Sequence, residues 1–521
     1  MPTYTAPGVY VEEVPSSQKV LSAAPTAVAA FVGFTERFPT DDPRDPEGLA
    51  PRLVTSWTQF ETLYGSFIAG AMLPLSVYAY FQNGGNLAYI VRVPHTAPAG
   101  APSSIALPAA DRALGAPLSI ESLEPDAQLS VSVHPEEPAE PDGPVTFRLE
   151  VHEGGETVES YSGLTLDGAG EAGTQVNGTS TRVKVKVEVS ADADLATQLE
   201  LLRPGHYELL QAQPVPVPVT GRSFAGSETE RRGLGGLAIA DDVTMVLLPD
   251  LITAATGEDG TVDLGLWKAV QTSLITHCEQ YTNRMAILDA PPGMSTQQIK
   301  EWRSDTAMYD SAFATMYYPW VKVENPVGSG ADKEMLVPPS GHVAGLWART
   351  DATRGVWKAP ANDTLRGVLD VERAISQNEQ SLLNPIGINC IRPFGVRGIR
   401  VWGARTLTSD TDWQYINVRR LFNMAEKTIL DGTQWAVFEP NDVPLWEGVK
   451  RTLNAFLRGL WTDGALVGST PDQAFYVKCD EETNPPESVD AGRLIVEVGL
   501  APVKPAEFVV FRIAQHKQSA A

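Results

Sequence analysis

Two aspartates occupy positions at which an α/β enzyme could carry a catalytic carboxylate. Asp250 and Asp289 come just after two predicted buried strands, Val243–Leu248 and Arg284–Leu288. Open α/β sheets place ligands and reacting groups at the carboxyl ends of their parallel strands. A carboxylate at a strand end also caps a following helix well, so a structural role is the competing interpretation.

The other reactive side chains form no catalytic or metal-binding pattern. In the segment 152–156 a glutamate, Glu156, stands where the zinc motif His-Glu-x-x-His needs its second histidine, and a Gly-Gly pair favours a turn. His277 and Cys278 are adjacent on a predicted helix, where neighbouring side chains point about 100° apart. We therefore predict no catalytic residue, no metal, no cofactor and no enzyme activity.

Composition excludes further classes of protein. The three cysteines, Cys278, Cys390 and Cys479, are scattered, which favours reduced, buried thiols over disulfides or a zinc site. A formal net charge of −24 opposes binding to nucleic acid. The sequence contains no run of 18 apolar residues and no secretion leader, so we expect cytoplasmic folding and no direct membrane insertion.

The elements around the two aspartates alternate between strand and helix. Helices begin at capping signals, such as Ser56 with Gln59 and Ser295 with Gln298. This alternation predicts a mostly parallel sheet with helices on its faces. We assign an α/β middle domain to residues 23–95 and 226–340, with strands at Thr26–Val32, Leu87–Val93, Val243–Leu248, Arg284–Leu288 and Thr315–Val321.

Residues 96–225 interrupt this pattern with short alternating runs separated by turn residues, which is typical of an all-β domain. The segment contains 19 acidic and 7 basic residues, so its net charge of −12 is half of the excess charge of the chain. We predict an inserted, acidic, β-rich outer domain that ends at the loop 221–226.

Residues 341–504 predict an α+β module. We expect helices from Asn362 or Asp363 to Ser376, from Thr411 or Asp412 to Gly432 and from Pro444 to Trp461. Expected strands include Thr433–Phe438, Ala474–Lys478 and Leu494–Val498. The stretch Pro338–Pro360, where this module begins, has little periodicity and predicts an ordered loop. A small-molecule site is one alternative for it, and an inter-subunit or interdomain joint, which its tryptophans and arginines favour, is the other.

The last two predicted helices carry basic residues that contrast with the acidic chain. Solvated helix surface is one interpretation, and docking onto an acidic partner is the other. The residues are Arg419, Arg420, Lys427, Lys450, Arg451 and Arg458.

Both ends of the chain contain a strand-like segment without a local hairpin partner. Such a strand pairs either with a distant part of its own fold or with a neighbouring subunit. We assign arms to residues 1–22 and 505–521. Their strand residues are Gly8, Val9, Tyr10, Val11, Glu12 and Val14 in the first arm, and Phe508, Val509, Val510, Phe511, Arg512 and Ile513 in the second.

Several segments together resemble the contractile tail sheath proteins of phage tails, R-type pyocin-like particles and extracellular contractile injection systems. Their order and number carry the resemblance, which spans most of the chain outside residues 96–225. The matching segments are Pro7–Glu13, Thr26–Thr35, Phe81–Val93, Pro338–Leu407, Ile416–Leu430 and Phe438–Asn441.

This resemblance implies an architecture. The middle domain would have a subtilisin-like topology without a catalytic triad, and the C-terminal module would be the inner domain that lines a tail tube. The two arms would add strands to sheets of neighbouring subunits.

It also implies a function and partners. The chain would be a structural subunit, assembled in the bacterial cytoplasm, that polymerises as stacked hexameric rings around an inner tube and contracts. Its partners would be other copies of itself, the inner tube protein, and baseplate and cap proteins. Two alternatives remain, namely a cap or baseplate component of such a particle and an α/β hydrolase-like enzyme.

Overall fold

A computed structural model describes residues 21–39, 41–97, 103–107, 118–123, 129–136, 146–166, 171–187, 202–209, 215–217, 219–257, 259–328 and 333–510. The chain divides into two compact units, one formed by Met1–Val93 with Val219–Ala521 and the other by Pro94–Pro218. The predicted end of the insertion at residue 225 is too late, because Gly221–Ala225 is a short helix whose Phe224 is buried in the core of the first unit.

A nine-stranded sheet forms the centre of the first unit. Its six middle strands are parallel, which confirms the prediction from the strand–helix alternation, and antiparallel strands complete both edges. In spatial order the strands are Asp363–Thr364, Ile399–Trp402, Ile388–Pro393, Ala314–Tyr318, Met285–Asp289, Met245–Leu247, Val28–Gly33, Leu87–Arg92 and Arg52–Val54.

Helices cover both faces of this sheet, so the middle strands are buried on both sides. Val28, Ala30 and Val32 belong to one apolar core, whereas Ala29 and Phe31 belong to the other, as the alternation of side chains along a strand requires. The helices of this region are Trp57–Tyr64, Leu73–Asn83, Gly221–Ala225, Gly233–Gly236, Leu251–Ala255, Leu264–Tyr281, Thr296–Glu301, Ser340–Arg354 and Gln377–Leu383.

The prediction of a loop over residues 338–360 is wrong for most of these residues, because Ser340–Arg354 forms a helix beneath the sheet. Ten of its fifteen residues are buried, including His342 and Trp347. A helix that is buried nearly all round has no polar face, so its sequence lacks the period that identifies a surface helix. We call Ser340–Arg354 the buried helix.

The helix predicted from Asn362 to Ser376 is also wrong. Asp363–Thr364 is an edge strand of the central sheet, and Val368–Val371 pairs with Val321–Glu324 in a separate three-stranded antiparallel sheet completed by Glu334–Val337. The cap-like residues of this stretch therefore introduce strands. Strand pairing with distant residues overrides the local helix signal.

The predicted boundary between the middle domain and the C-terminal module at residue 340 is contradicted by the sheet. Ile388–Pro393 pairs in parallel with Ala314–Tyr318, and Ile399–Trp402 extends the same sheet. The C-terminal module therefore begins after these strands.

The C-terminal module is built on two long helices, Ile416–Gly432 and Val443–Thr462, which we call the arginine helix and the terminal helix. The second begins with Pro444 in its first turn and is capped by Asp442. Phe475–Lys478 and Glu497–Leu500 form a two-stranded antiparallel sheet, and Pro471–Ala474 and Pro486–Asp490 are short helices. The predicted strand Thr433–Phe438 is wrong, because Gln434–Ala436 is a helical turn.

The described residues of the second unit form antiparallel sheets around their own apolar core, in agreement with the all-β pattern, together with the short helix Ala172–Asn177. One sheet has four strands, Gly205–Glu208, Leu129–Glu136, Thr146–Glu153 and Glu156–Leu164. Another has three, Val183–Val187, Leu118–Ser122 and Ser104–Leu107. The short strands Thr96–Ala97 and Val215–Pro216 pair with each other.

Candidate functional site

Asp250 is completely buried and serves as a cap for a helix that is remote in sequence. Its carboxylate accepts the backbone N–H of Phe34 at 2.6 Å and that of Met72, the residue that precedes the helix Leu73–Asn83. Burial raises the pKa of Asp250 to about 7, against the opposing effect of these N–H donors. The predicted capping role therefore applies, but to a helix 178 residues away in sequence.

Asp289 has the same kind of role at the start of the buried helix. It accepts the backbone N–H of Ser340 at 2.8 Å and its hydroxyl at 2.6 Å. Burial raises the pKa of Asp289 to about 7. Because Asp289 and Ser340 are both buried and bonded to each other, neither side chain is open to a substrate.

The remaining chemical candidates also have structural partners. The ring Nε2 of His277 lies 2.8 Å from Arg284 Nη1, and burial lowers the pKa of His277 to about 4. Cys278, Cys390 and Cys479 are buried free thiols. Among the described residues, no group of three or more His, Cys, Asp or Glu side chains could hold a metal ion.

Arg420, predicted to face an acidic partner, is instead buried within the chain. Its guanidinium binds both carboxylate oxygens of Asp351 on the buried helix, and it also donates to the carbonyl oxygen of Thr26 at 2.9 Å. The same group lies over the ring of Trp347 at 4.6 Å. Arg420 therefore joins the C-terminal module to the central sheet, and its assignment as an exposed contact is wrong.

Arg419 is likewise buried and is removed from the candidate interface. Its guanidinium lies 4.2 Å from the Trp413 ring and 4.8 Å from the Phe313 ring, and it forms an ion pair with Glu426 at 2.8 Å. Burial lowers the pKa of Arg419, although the nearby carboxylate opposes this shift. Sequence periodicity alone could not separate these two arginines from solvated ones.

The other four basic residues remain at the surface. Lys427 pairs with Asp431 and Lys450 pairs with Glu447, each within one helix. Arg451 and Arg458 are exposed, and no carboxylate pairs with either among the described residues. Because seven residues are close to two helical turns, these two arginines lie on one face of the terminal helix.

The N-terminal side of the described chain runs along the arginine helix. The backbone N–H of Ala24 donates to the Thr428 hydroxyl at 2.9 Å. Leu21 packs so closely on the end of this helix that a Cβ on Gly432 would lie 2.0 Å from its Cδ2 atom. The proposed strand residues Gly8 to Val14 lie outside the described residues.

Glu507 ties the C-terminal segment to the central part of the chain. Its carboxylate accepts two bonds from Arg405, at 2.9 and 2.5 Å, one from Asn384 at 2.6 Å and one from Tyr415 at 3.2 Å. Burial opposes the charge, yet the bonds from Arg405 and Asn384 leave the pKa of Glu507 below its usual range.

The chain is exposed immediately after this tie. Phe508, Val509 and Val510 are 74%, 69% and 77% exposed and belong to no strand within the chain. Phe511, Arg512 and Ile513 lie outside the described residues. Three consecutive exposed apolar side chains are unusual for a surface that stays in water and are typical of a segment that is covered by a partner.

No described helix combines the length and apolar character that a membrane span requires. The two candidate carboxylates, Asp250 and Asp289, are thus buried in the fold, whereas the C-terminal segment is fixed at Glu507 and continues as an exposed apolar stretch.

Comparisons with known proteins agree with this structural role. The family model described as phage tail sheath protein central domain matches residues 249–407, and the phage tail sheath C-terminal domain matches residues 408–516. Together they cover more than half of the chain. The boundary between them follows the last strand of the central sheet, which agrees with the correction made from the sheet topology.

Curated relatives carry related names. A putative prophage major tail sheath protein of Pseudomonas aeruginosa is 29% identical over 235 residues, which is 44% of this chain and 57% of that protein. The tail sheath protein of Burkholderia phage BcepMu is 30% identical over 240 residues, 44% of this chain and 48% of that protein. The chain therefore matches about half the length of these relatives.

Solved structures match over nearly the full length. The helical sheath of the anti-feeding prophage in its contracted state gives a TM-score of 0.58 at 25% identity, covering 99% of this chain and 100% of that chain. The contracted PVC sheath complex of an extracellular contractile injection system gives 0.56 at 24% identity, covering 99% of both. The chain therefore belongs to the phage tail sheath protein family.

Proposed function

We propose that this chain is the sheath subunit of a contractile tail or injection particle. It polymerises as stacked hexameric rings around an inner tube in the bacterial cytoplasm, and contraction drives the tube through a target envelope. Its partners are other copies of itself, the inner tube protein, and the baseplate and cap proteins. The sheath has no enzymatic step, so contraction is the release of a metastable assembly.

The observation that carries this proposal is the arrangement at Glu507. A bidentate ion pair fixes the segment as far as Glu507, and the next three residues are apolar and exposed. A segment held at one end can rotate about the tie while its free part pairs with a neighbour. Strand addition of this kind depends on backbone hydrogen bonds and tolerates varied side chains.

The small sheet of the C-terminal module is the receptor that we propose for such an arm. Phe475–Lys478 and Glu497–Leu500 form a sheet of only two strands, and Tyr476 on it is 58% exposed. A two-stranded sheet is marginally stable alone, and its outer edges carry backbone groups that can accept another strand. We infer that arm residues 8–14 and 508–513 of neighbouring copies extend this sheet.

We further infer that the exposed arginine pair of the terminal helix, Arg451 and Arg458, faces the tube. The pair is free of ion pairs among the described residues, whereas Lys427 and Lys450 already have acidic neighbours. A free guanidinium binds a carboxylate of a partner in a bidentate manner without first breaking a pair.

Electron microscopy of the purified full-length chain tests the proposal. We expect long tubes from the wild type, and soluble, folded, unassembled protein after deletion of residues 1–20 or 508–521. The second deletion keeps Glu507 and removes only the uncovered part of the arm. Tubes that persist after both deletions would show that the arms do not link the subunits.

A cap or baseplate component is the second candidate, since the chain also matches a structure of the anti-feeding prophage baseplate with a TM-score of 0.56 at 24% identity. A cap or baseplate protein forms a closed ring and stops, whereas a sheath protein forms an open helical polymer. The length distribution of the assemblies separates the two. An α/β hydrolase is disfavoured because Asp250 and Asp289 are buried helix caps.

A further inference from the structure

A basic hairpin forms the second and third strands from one edge of the central sheet. Its strands are Ile388–Pro393 and Ile399–Trp402, and residues 394–398 form the tip. Gly395 and Gly398 have φ angles of 57° and 76°, which a residue with a Cβ rarely adopts, so the turn depends on both glycines. The turn holds Val396 fully exposed.

Two arginines flank an aromatic ring at this tip. Arg392 and Arg397 lie 5.4 and 5.1 Å from the centre of the Phe394 ring, and that ring packs against Trp402 at 4.4 Å. A guanidinium stacked on an aromatic ring loses little conformational freedom when it binds a partner. The side chains at the tip are therefore arranged in advance for binding.

The charge of the hairpin is uncompensated. Residues 388–402 include three arginines, Arg392, Arg397 and Arg400, and no acidic residue. Arg392 donates to the carbonyl oxygen of Ile375, and Arg400 donates to that of Asn362. Within the described part of the chain, none of the three arginines is paired with a carboxylate. In a chain with a net charge of −24, this hairpin has the opposite sign to the chain as a whole.

An exposed acidic loop lies in the C-terminal module, between the two strands of its small sheet. It contains five acidic residues, and among the described residues only Glu482 has an ion pair, with Lys478. Three others, Glu481, Glu487 and Asp490, are exposed and form no ion pair with another described residue. The fifth acidic residue of the loop is Asp480.

We infer that the basic hairpin of one copy binds the acidic loop, residues 480–490, of a second copy. This inference rests on the proposed sheath function, because it supplies one contact of the polymer. The two surfaces differ and no described ion pair joins them within one chain, so the contact is head-to-tail and repeats without closing on itself. Arginine and carboxylate groups make bidentate bonds, and Val396 adds apolar area at the centre of the contact.

Charge reversal in the full-length chain tests this contact. Arg392→Glu with Arg397→Glu should raise the protein concentration needed for tube formation by about tenfold or more, because buried arginine contacts are among the largest single contributions to interfaces. Glu481→Arg with Glu487→Arg should have the same effect. The combination of all four changes should restore assembly, as measured by sedimentation and electron microscopy.

Arg222→Glu, on another exposed surface, is the control for a non-specific effect of reversing a positive charge. Val396→Asp changes the tip of the hairpin without replacing an arginine. Circular dichroism checks that each variant is folded. Tubes from the hairpin variant at the wild-type concentration would overturn the inference while leaving the sheath function intact. Loss of assembly without rescue by the combined variant would overturn the acidic loop as the partner. A wild type that forms no tubes contradicts the proposed function itself.

Discussion

Arg420 and Asp351 form an ion pair that is almost entirely removed from solvent, with side-chain exposures of 3% and 5%. Arg420 lies on the arginine helix and Asp351 on the buried helix, so the pair joins the C-terminal module to the layer beneath the central sheet. Thr26 completes the arrangement through its hydroxyl, which donates to Asp351 at 2.7 Å. These contacts favour movement of the C-terminal module and the sheet as one body.

We expect Arg420→Ala to lower the free energy of unfolding of this unit by about 3–5 kcal/mol, because it leaves the Asp351 carboxylate buried without a counter-charge. Denaturant unfolding followed by tryptophan fluorescence measures the change. Lys427→Ala on the same helix, which breaks the exposed pair with Asp431, should cost no more than about 0.5 kcal/mol. Equal losses in the two variants would contradict the role of the buried pair.

Gly345→Ala should destabilise the contact between the buried helix and the helix Leu73–Asn83. A Cβ at residue 345 would lie 2.5 Å from the carbonyl oxygen of Tyr80 and from the Cβ of Asn83. We expect a loss of about 1–3 kcal/mol, measured by thermal unfolding. Gly459→Ala in the terminal helix is the matched control, since nothing lies within 4 Å of its Cβ and alanine should stabilise that helix by about 1 kcal/mol.

The buried Asp289 predicts a pH dependence of stability. Its pKa is about 7 in the folded protein and 3.8 as a free side chain, so the folded state binds more protons between these values. Its contribution to stability is therefore present below pH 3.8 and is lost as the pH rises to about 7. The free energy of unfolding of the wild type relative to that of Asp289→Asn should fall as the pH rises from 3.8 to about 7, and it should be level above that. A constant difference would mean that Asp289 does not titrate in this range.

Glu507→Gln should release the C-terminal segment. The amide removes the negative charge that binds Arg405, so we expect a loss of about 1–2 kcal/mol, faster hydrogen exchange at residues 500–507 and less tube formation. Lys504→Ala, which breaks only the exposed pair with Asp412, should leave assembly unchanged. Unaltered exchange in the Glu507 variant would show that the tie does not hold the arm.

Arg451→Glu with Arg458→Glu should weaken assembly around the tube without unfolding the chain, because both side chains are exposed. Co-expression with the inner tube protein and measurement of the sheathed fraction of tubes checks this. Arg222→Glu, at another exposed arginine outside the C-terminal module, is the control. Normal sheathing by the double variant would exclude this pair from the tube contact.

The sequence predicted elements whose signals are local. Ser295 with Gln298 starts a helix as expected, and the buried strands of the parallel sheet were recognisable from their apolar runs. The buried helix was missed because its burial removes the period, although the spacing of Gly341 and Gly345 was a usable signal of close packing. Arg419 and Arg420 were misplaced because burial of an arginine depends on partners such as Asp351 and Trp413, which are distant in sequence.

The pairing of Ala97 with Val215 brings the two ends of the acidic insertion to one place. When the first and last residues of an insertion are adjacent, its length and sequence can change without changing the distance between the two points at which it joins the rest of the chain. Selection can therefore act on this module independently of the sheet that carries it. The same geometry makes it a point at which a foreign domain could be inserted into the chain.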